Sequence, residues 1–584
     1  MSEPAIALPR GPIAVHPYRA RRRRAWREWF APINLIWLLV VLALLVLVAA
    51  PMMKLLVVSF QTRAGAFTFN NYLTAYGRAR YVEALVNSLE LAAAVAAYCL
   101  LFALPMAWAV SRTDMPGKAL IWLVVLGAFI LPPYLGAIGW ILLAGPNAGF
   151  VNVAWRWLTG AHDPLVNVYT FNGLALVIAL QSFPLIFIFV KSALDQISSE
   201  MEDAANILGA GTWTTMRKVT LPLVWPAILG GAIIVFLEAV ALFGPPAIIG
   251  IPARINVAAT QLWQFFEFPV RVEVAAAYSI PLLLITLGLM GLQRRALGRK
   301  GYVAQTGKGG ARRLIRLGPW RYPLLAWCGF VGLIAVAMPM LVLLEASFAK
   351  AWGNGLSLSN LTLANYRLLL FEQDTALTSI WHTIWYSAAA ASAAVVLALL
   401  IAYGAHRRLM PFIGILGFLA MAPFVIPGIV MAIGFYAVFA APPLSLYGTP
   451  WILIFAFIAR FLPIAYTNAN SAMGSLHPEM EEAARILGCG RLATIRRITV
   501  PLLGRTLLGG WLIVFIVATR ELSAAIFLVG PNTRTMAVLL YDLSEAGNFE
   551  VLAALGGILL AITFALVAIG MRLAGRDFML RSGG

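Results

Sequence analysis

Apolar runs long enough to cross a bilayer constrain this chain more than anything else in it. Examples are Ile33 to Phe60, Ala119 to Leu143 and Leu174 to Val190. A helix needs roughly 20 apolar residues to cross about 30 Å of hydrocarbon. In lipid, only helices and closed barrels satisfy their own backbone groups. About twelve such runs can be counted, roughly six on either side of a polar centre. With 61% hydrophobic and 11% charged residues, against a charged share of about 25% in soluble domains, an ordinary soluble globule is excluded. The expectation is an all-α polytopic membrane protein.

The net charge of +19 does not mark a nucleic-acid binder, because the basic residues are spread between the apolar runs rather than gathered in one domain. Placing the N-terminus in the cytoplasm puts Arg21 to Arg24 with Arg27, then Arg112, Lys118, Arg217, Lys218 and the cluster from Arg294 to Arg321 on one side. Arg407, Arg408, Arg496, Arg497 and Arg572 follow on that side in the second half. About thirty of the 43 Lys and Arg then face the cytoplasm, as the positive-inside rule requires. Both termini are therefore expected there, in a multi-pass bacterial inner-membrane chain. The first run is too long for a signal-peptide core, and no small-residue cleavage pattern closes it, so it reads as an uncleaved span. Cys99, Cys328 and Cys489 support neither disulfides nor a thiolate site, and His16, His162, His382, His406 and His477 lack ligand spacing. Trp140 and Trp155 read as interfacial anchors.

One polar segment interrupts this pattern twice. EMEDAANILGAGTWTTMRKVTLPLVWPAILGG from Glu200 returns as EMEEAARILGCGRLATIRRITVPLLGRTLLGG from Glu479, at an offset of 279. Asn71 and Tyr72 recur as Asn365 and Tyr366 at an offset of 294. The first half therefore carries about fifteen extra residues, assigned to the loop between Gly145 and Tyr169. The Gly-rich basic stretch near the middle has no apolar periodicity and reads as a linker. With an even number of spans before it, the duplication is parallel rather than inverted. The resulting division is 1–33 basic N-terminal segment, 34–293 first half, 294–321 linker, 322–572 second half and 573–584 tail.

Within the repeated segment, Ser199 and Glu202 form a capping-box pattern, while Pro478 and the acidic Glu479, Glu481 and Glu482 start the second copy. Met201, Ala204, Ala205 and Leu208 share a helical face, as do Met480, Ala483, Ala484 and Leu487. Gly209 and Gly488 are expected to end the helix in the left-handed region. Pro222 and Pro501 mark the junction of a second, basic helix with the next span. A helix lying on the membrane is the bland alternative, and duplication counts against it.

The pattern Glu-Ala-Ala, then Gly, then Leu-Pro or Val-Pro resembles the coupling loop of ABC importer permeases. The resemblance implies about twelve transmembrane helices in two parallel six-helix repeats, each with a cytoplasmic coupling-helix loop. It marks Glu202, Ala204, Ala205, Gly209 and Pro222, with Glu481, Ala483, Ala484, Gly488 and Pro501, as residues that couple to an ATPase. Asp203 and Glu482 stand inside the motif without removing its face or turn. The implied partners are two cytoplasmic ABC ATPase subunits and a periplasmic or lipoprotein substrate-binding protein, with membrane lipid around the spans. No cofactor is expected on this chain; ATP and Mg belong to the partner ATPase. In keeping with this, no GxxxxGK[ST] loop is present: TGKGG at Thr306 has Gly309 where Ser or Thr should stand and Tyr302 in place of the first glycine.

Further segments, including LPPYLGAIGWILLAGPNAGFVN from Leu131 and RELSAAIFLVGPNTRTMAVLL from Arg520, resemble the fused two-unit permeases of the iron(III)-type group. Iron(III) or a ferric chelate is the leading substrate expectation. Thiamine, 2-aminoethylphosphonate, polyamine and sulfate remain open, as does an ion-coupled secondary transporter. Glu238, Arg520 and Glu521 lie inside spans, where a charge costs about 2.5 to 3.5 kcal/mol. They are candidates to line the pathway or to act as polar glue between helices. Leu242 stands before Phe243 and Gly244 where the family often has an acid.

Overall fold

The computed structural model describes residues 32–197, 199–297, 314–355, 357–409 and 413–574. The basic cluster from Arg21 to Arg27, most of the expected linker and nearly all of the expected tail lie outside these residues. Among those described there is no strand, only isolated bridges. Ten helices are long and apolar enough to cross a membrane, or up to 12 with each of two bent helix pairs taken as one span. This is the expected fold class.

The first half runs through α1 (Leu35–Ser59), α2 (Ala79–Arg112), the pair α3 (Lys118–Ile130) and α4 (Pro133–Ala144), and a short helix α5 (Phe150–Thr159). It continues with α6 (Phe171–Gln196), the short α7 (Ser199–Ile207), α8 (Trp213–Ala241) and α9 (Val272–Gln293). The second half repeats the order: α10 (Gly318–Phe348), α11 (Asp374–His406), the pair α12 (Ile413–Val425) and α13 (Gly428–Phe439), and α14 (Pro450–Gly474). Then come α15 (Glu479–Ile486), α16 (Leu492–Thr519) and α17 (Phe549–Leu573). The pairs bend by 100° and 113°. Their breaks fall at Leu131-Pro132-Pro133 and Ile426-Pro427, where proline disfavours helical continuation through the preceding residue.

The repeated Asn-Tyr motif performs one task twice. Asn71 Nδ2 donates to the carbonyls of Ser59 and Gln61 at 3.1 and 2.8 Å, and Asn365 Nδ2 donates to those of Ser347 and Ala349 at 3.1 and 2.9 Å. Tyr72 and Tyr366 bond the hydroxyls of the same two serines at 2.9 and 3.0 Å. Each motif closes the end of its half's first span, where helix carbonyls lack partners.

The halves grip each other through exchanged contacts. α4 packs on α10 of the second half, and α13 packs on α1 of the first. Both contacts are backbone-close: a Cβ on Gly139 would lie 3.0 Å from Pro339 Cβ, and one on Gly434 would lie 2.7 Å from the Pro51 carbonyl oxygen. Small residues allow such approach between membrane helices. Pro51 and Pro339 follow wide five-residue turns, Leu45–Ala49 and Leu333–Ala337. Proline cannot donate to the preceding turn and crowds its carbonyl, and a wide turn absorbs the mismatch.

Candidate functional site

The two repeated elements are built alike. α7 and α15 end at Gly209 and Gly488, whose φ values of +82° and +87° lie in the left-handed region, as expected. A Cβ at either position would meet nothing within 4 Å, so the requirement is conformational and not one of space.

After the glycine the second helix does not stop at the proline. It passes through Met216–Thr220 or Ile495–Thr499, two wide turns, and continues as the next span. Pro222 and Pro501 thus shape the turn inside a continuous helix, which corrects the expected junction between separate helices. These turns carry inward the buried Thr220 and Thr499, 5% and 0% exposed.

Each threonine hydroxyl donates to the motif glutamate at 2.8 Å: Thr220 to Glu202 Oε1 and Thr499 to Glu481 Oε1. The other carboxylate oxygen meets an arginine at the end of the half's second span. Arg407 Nε stands 2.9 Å from Glu481 Oε2, and Arg112 Nη1 stands 3.5 Å from Glu202 Oε2. Glu202 and Glu481 are 9% and 4% exposed. Their carboxylates therefore tether the short helix to its own half, a role the capping-box reading of Glu202 did not foresee. Burial alone would raise the Glu481 carboxyl, but hydrogen bonds from Arg407, Thr499 and Tyr403 and the Arg407 charge bring it below the ordinary range.

With Glu202 and Glu481 turned inward, each helix leaves large apolar side chains exposed at its C-terminal end. Ile207 and Leu208 are 86% and 87% exposed, and Ile486 and Leu487 are 85% and 84% exposed. Met201 and Met480 are exposed nearer the start of each helix. The alanine pairs do not act as one surface: Ala204 and Ala483 face outward, whereas Ala484 is buried beside Glu481 and Ala205 is half-buried. A helix with period 3.6 cannot present adjacent residues to one side, and the inward stripe here is set by the glutamate three residues earlier.

Glu238, Arg520 and Glu521 meet in a single cavity of about 330 Å³ between the halves. Their repeat counterparts at the offset of 279, Val517, Ala241 and Leu242, line it too. Both helix breaks border the cavity, through Pro133 and Ile426. Arg520, from the second half, donates to the carbonyl of Phe129 at the first break and lies over that ring, 4.8 Å from its centroid. Glu521 Oε1 accepts the backbone N–H of Ala524 at 2.9 Å.

Arg460 also lines the cavity, donating to the carbonyl of Ile426 at 3.0 Å at the second break. Sequence reasoning missed it. The offset of 279 pairs it with Gln181, a polar residue at the matching depth of α6, and that pairing is the signal that would have found it. Tyr134, from the end of α4 at the first break, adds to the polar lining with Thr286 and Ser523. Among the described residues no group of three His, Cys, Asp or Glu side chains is placed to hold a metal ion.

The family described as "Binding-protein-dependent transport system inner membrane component" matches residues 19–299 and 412–576. The chain is similar to the ferric transport system permease protein FbpB of Actinobacillus pleuropneumoniae, 29% identical over 84% of this chain and 71% of that one. It is 23% identical to the probable ABC transporter permease protein y4fN of Sinorhizobium fredii, over 94% of this chain and 96% of that one. The molybdenum transport system permease protein ModB of Escherichia coli (strain K12) matches at 28% over 37% of this chain and 96% of its own length.

Proposed function

The chain belongs to the family of binding-protein-dependent transport system inner membrane components, and from that premise we propose that it supplies both membrane halves of an ABC importer for iron(III) or a ferric chelate. Family membership sets aside the ion-coupled secondary transporter. The observation that carries the division of labour is the matched pair of exposed tips, Ile207 with Leu208 and Ile486 with Leu487. Each sits on a helix anchored to its own half by a buried glutamate. Such a tip fits a cleft on a soluble partner, with the exposed Arg217, Lys218, Arg496 and Arg497 nearby.

Two ATPase subunits, one per tip, hydrolyse ATP with Mg in this reading; the chain itself binds no cofactor. Closure of the ATPase pair draws α7 and α15 together. The glutamate tethers pass the movement to α2 and α8, and to α11 and α16, so that the cavity opens alternately to a docked binding protein and to the cytoplasm. Both termini are cytoplasmic, and the permease halves are 34–293 and 322–572, joined by the linker 294–321. Glu202, Ala204, Ala205, Gly209 and Pro222, with their second-half counterparts, form the coupling elements. Glu238, Arg520 and Glu521 line the pathway.

The ferric substrate is supported by the likeness to the ferric transport permease. Thiamine, 2-aminoethylphosphonate, polyamine and sulfate importers are the alternatives within this class. The test is uptake of radiolabelled iron into proteoliposomes holding the chain, its ATPase and its binding protein. ATP-dependent accumulation that requires the binding protein is expected. Iron entry indifferent to ATP would overturn the proposal.

A further inference from the structure

The polar groups of the central cavity are unevenly matched. Arg460 and Arg520 each use one guanidinium N–H on a carbonyl at a helix break, and a guanidinium has five such donors. Both side chains line the cavity. Tyr134 adds a hydroxyl on a side chain 3% exposed, and that hydroxyl has no hydrogen-bond partner. On the acceptor side, Glu521 already receives the Ala524 N–H. Neither Glu238 nor Glu521 has an ion-pair partner among the described residues, so the cavity sets two carboxylates against two guanidinia.

Holding the break carbonyls does not by itself require charge. Any neutral donor could bond Ile426; at the matching position of the first half stands Gln181, whose amide makes no hydrogen bond, and the first break is held by Arg520 instead. Two guanidinia at the cavity, Arg460 within α14 and Arg520 just past the end of α16, each with donors to spare, call for a ligand that accepts hydrogen bonds and carries negative charge. A bare trivalent cation would instead seek several oxygen anions, and two carboxylates offset by two arginines leave the cavity no net negative charge to hold it.

We propose that this cavity binds a small oxyanion-bearing solute, a carboxylate or phosphonate either free or as the ligand shell of a metal. Arg460, Arg520 and the Tyr134 hydroxyl hold its anionic groups, and Glu238 faces its cationic or metal-bearing side. The inference deepens the importer reading and rests on it: iron passes as an anionic chelate, not as the naked ion. The cavity volume of about 330 Å³ is at the small end of the range for enclosed ligands.

The test is equilibrium binding to the full chain in nanodiscs, with radiolabelled citrate, citrate loaded with iron(III), and hexaamminecobalt(III) as a trivalent cation without oxyanions. Saturable citrate binding is expected, weakened about tenfold in Arg460→Gln and in Arg520→Gln. Arg460→Lys should recover part of the loss. Glu238→Gln should tighten iron-free citrate by removing a like charge, and Glu345→Gln, remote from the cavity, should change nothing. Equal binding with and without iron identifies a free anion as the ligand, and binding only with iron identifies the chelate; both support the site. Because Gln is the residue at the matching position of α6, Arg460→Gln is expected to fold, which its melting temperature and elution profile check.

Absence of saturable citrate binding in either form overturns the proposal. So does citrate binding unchanged in both arginine variants, or hexaamminecobalt(III) binding that strengthens when an arginine is removed. Citrate binding without ATP-driven uptake would count against the importer reading, whereas ATP-driven uptake with unaltered arginine variants would count against this site alone.

Discussion

Glu202 and Glu481 each divide their carboxylate between a threonine hydroxyl and an arginine, and this arrangement links the short helix α7 or α15 to two spans of its own half. Replacing one partner leaves the others buried without it, which costs about 1 to 3 kcal/mol. Glu481→Gln should therefore loosen α15 locally, with faster amide exchange over residues 479–499. The second tether is the tighter one, 2.9 Å against 3.5 Å between arginine and carboxylate, so the corresponding change at Glu202 should be milder. Because the folded Glu481 carboxyl is held below its ordinary value of 4.5, its contribution is complete above that value and is lost as pH falls through the lowered one. Protection of α15 amides, measured relative to their intrinsic exchange rate at each pH, should fall as pH drops through the lowered Glu481 value in the parent chain, and Glu481→Gln should abolish that dependence. The sequence motif made these glutamates legible as important and wrong-footed their role. Their threonine partners lie eighteen residues downstream and their arginines on another span, distances over which spacing rules give no guidance.

In each coupling element, the order helix, left-handed glycine, wide turn and span follows from a few local rules. Glycine alone takes the positive φ without a steric penalty, and proline enforces the wide turn that carries the threonine inward. Gly488→Ala leaves open space around the new Cβ but strains the backbone by about 1 to 2 kcal/mol. It should lower ATPase affinity about fivefold to thirtyfold, with Gly488→Asn closer to the parent in a titration of purified subunits. Apolar periodicity and glycine rules were enough to locate these elements. They were not enough to orient them. The apolar tips at Ile207, Leu208, Ile486 and Leu487 became visible only once the glutamates were seen turned inward.

At the scale of the whole molecule, two like halves clasp by exchanging contacts between the first span of one and the bent pair of the other. Gly434→Ala would press a Cβ against the Pro51 backbone, and should shift the melting temperature down and broaden the gel-filtration peak of the purified chain. Span number, internal duplication and the acidic residues that line the central cavity were all readable from apolar run length and the repeat offsets. The exchanged packing was not, since it depends on the bends at the helix breaks, and neither was the contact of Arg460, which reaches the Ile426 carbonyl at the break between α12 and α13. The central claim is that two equivalent tips receive two ATPase subunits. Native mass spectrometry of the purified complex measures this directly. The account predicts one chain with two ATPase subunits, one subunit lost in Leu487→Asp, and both lost when Leu208→Asp is added. Retention of two ATPase subunits by the double variant would contradict it.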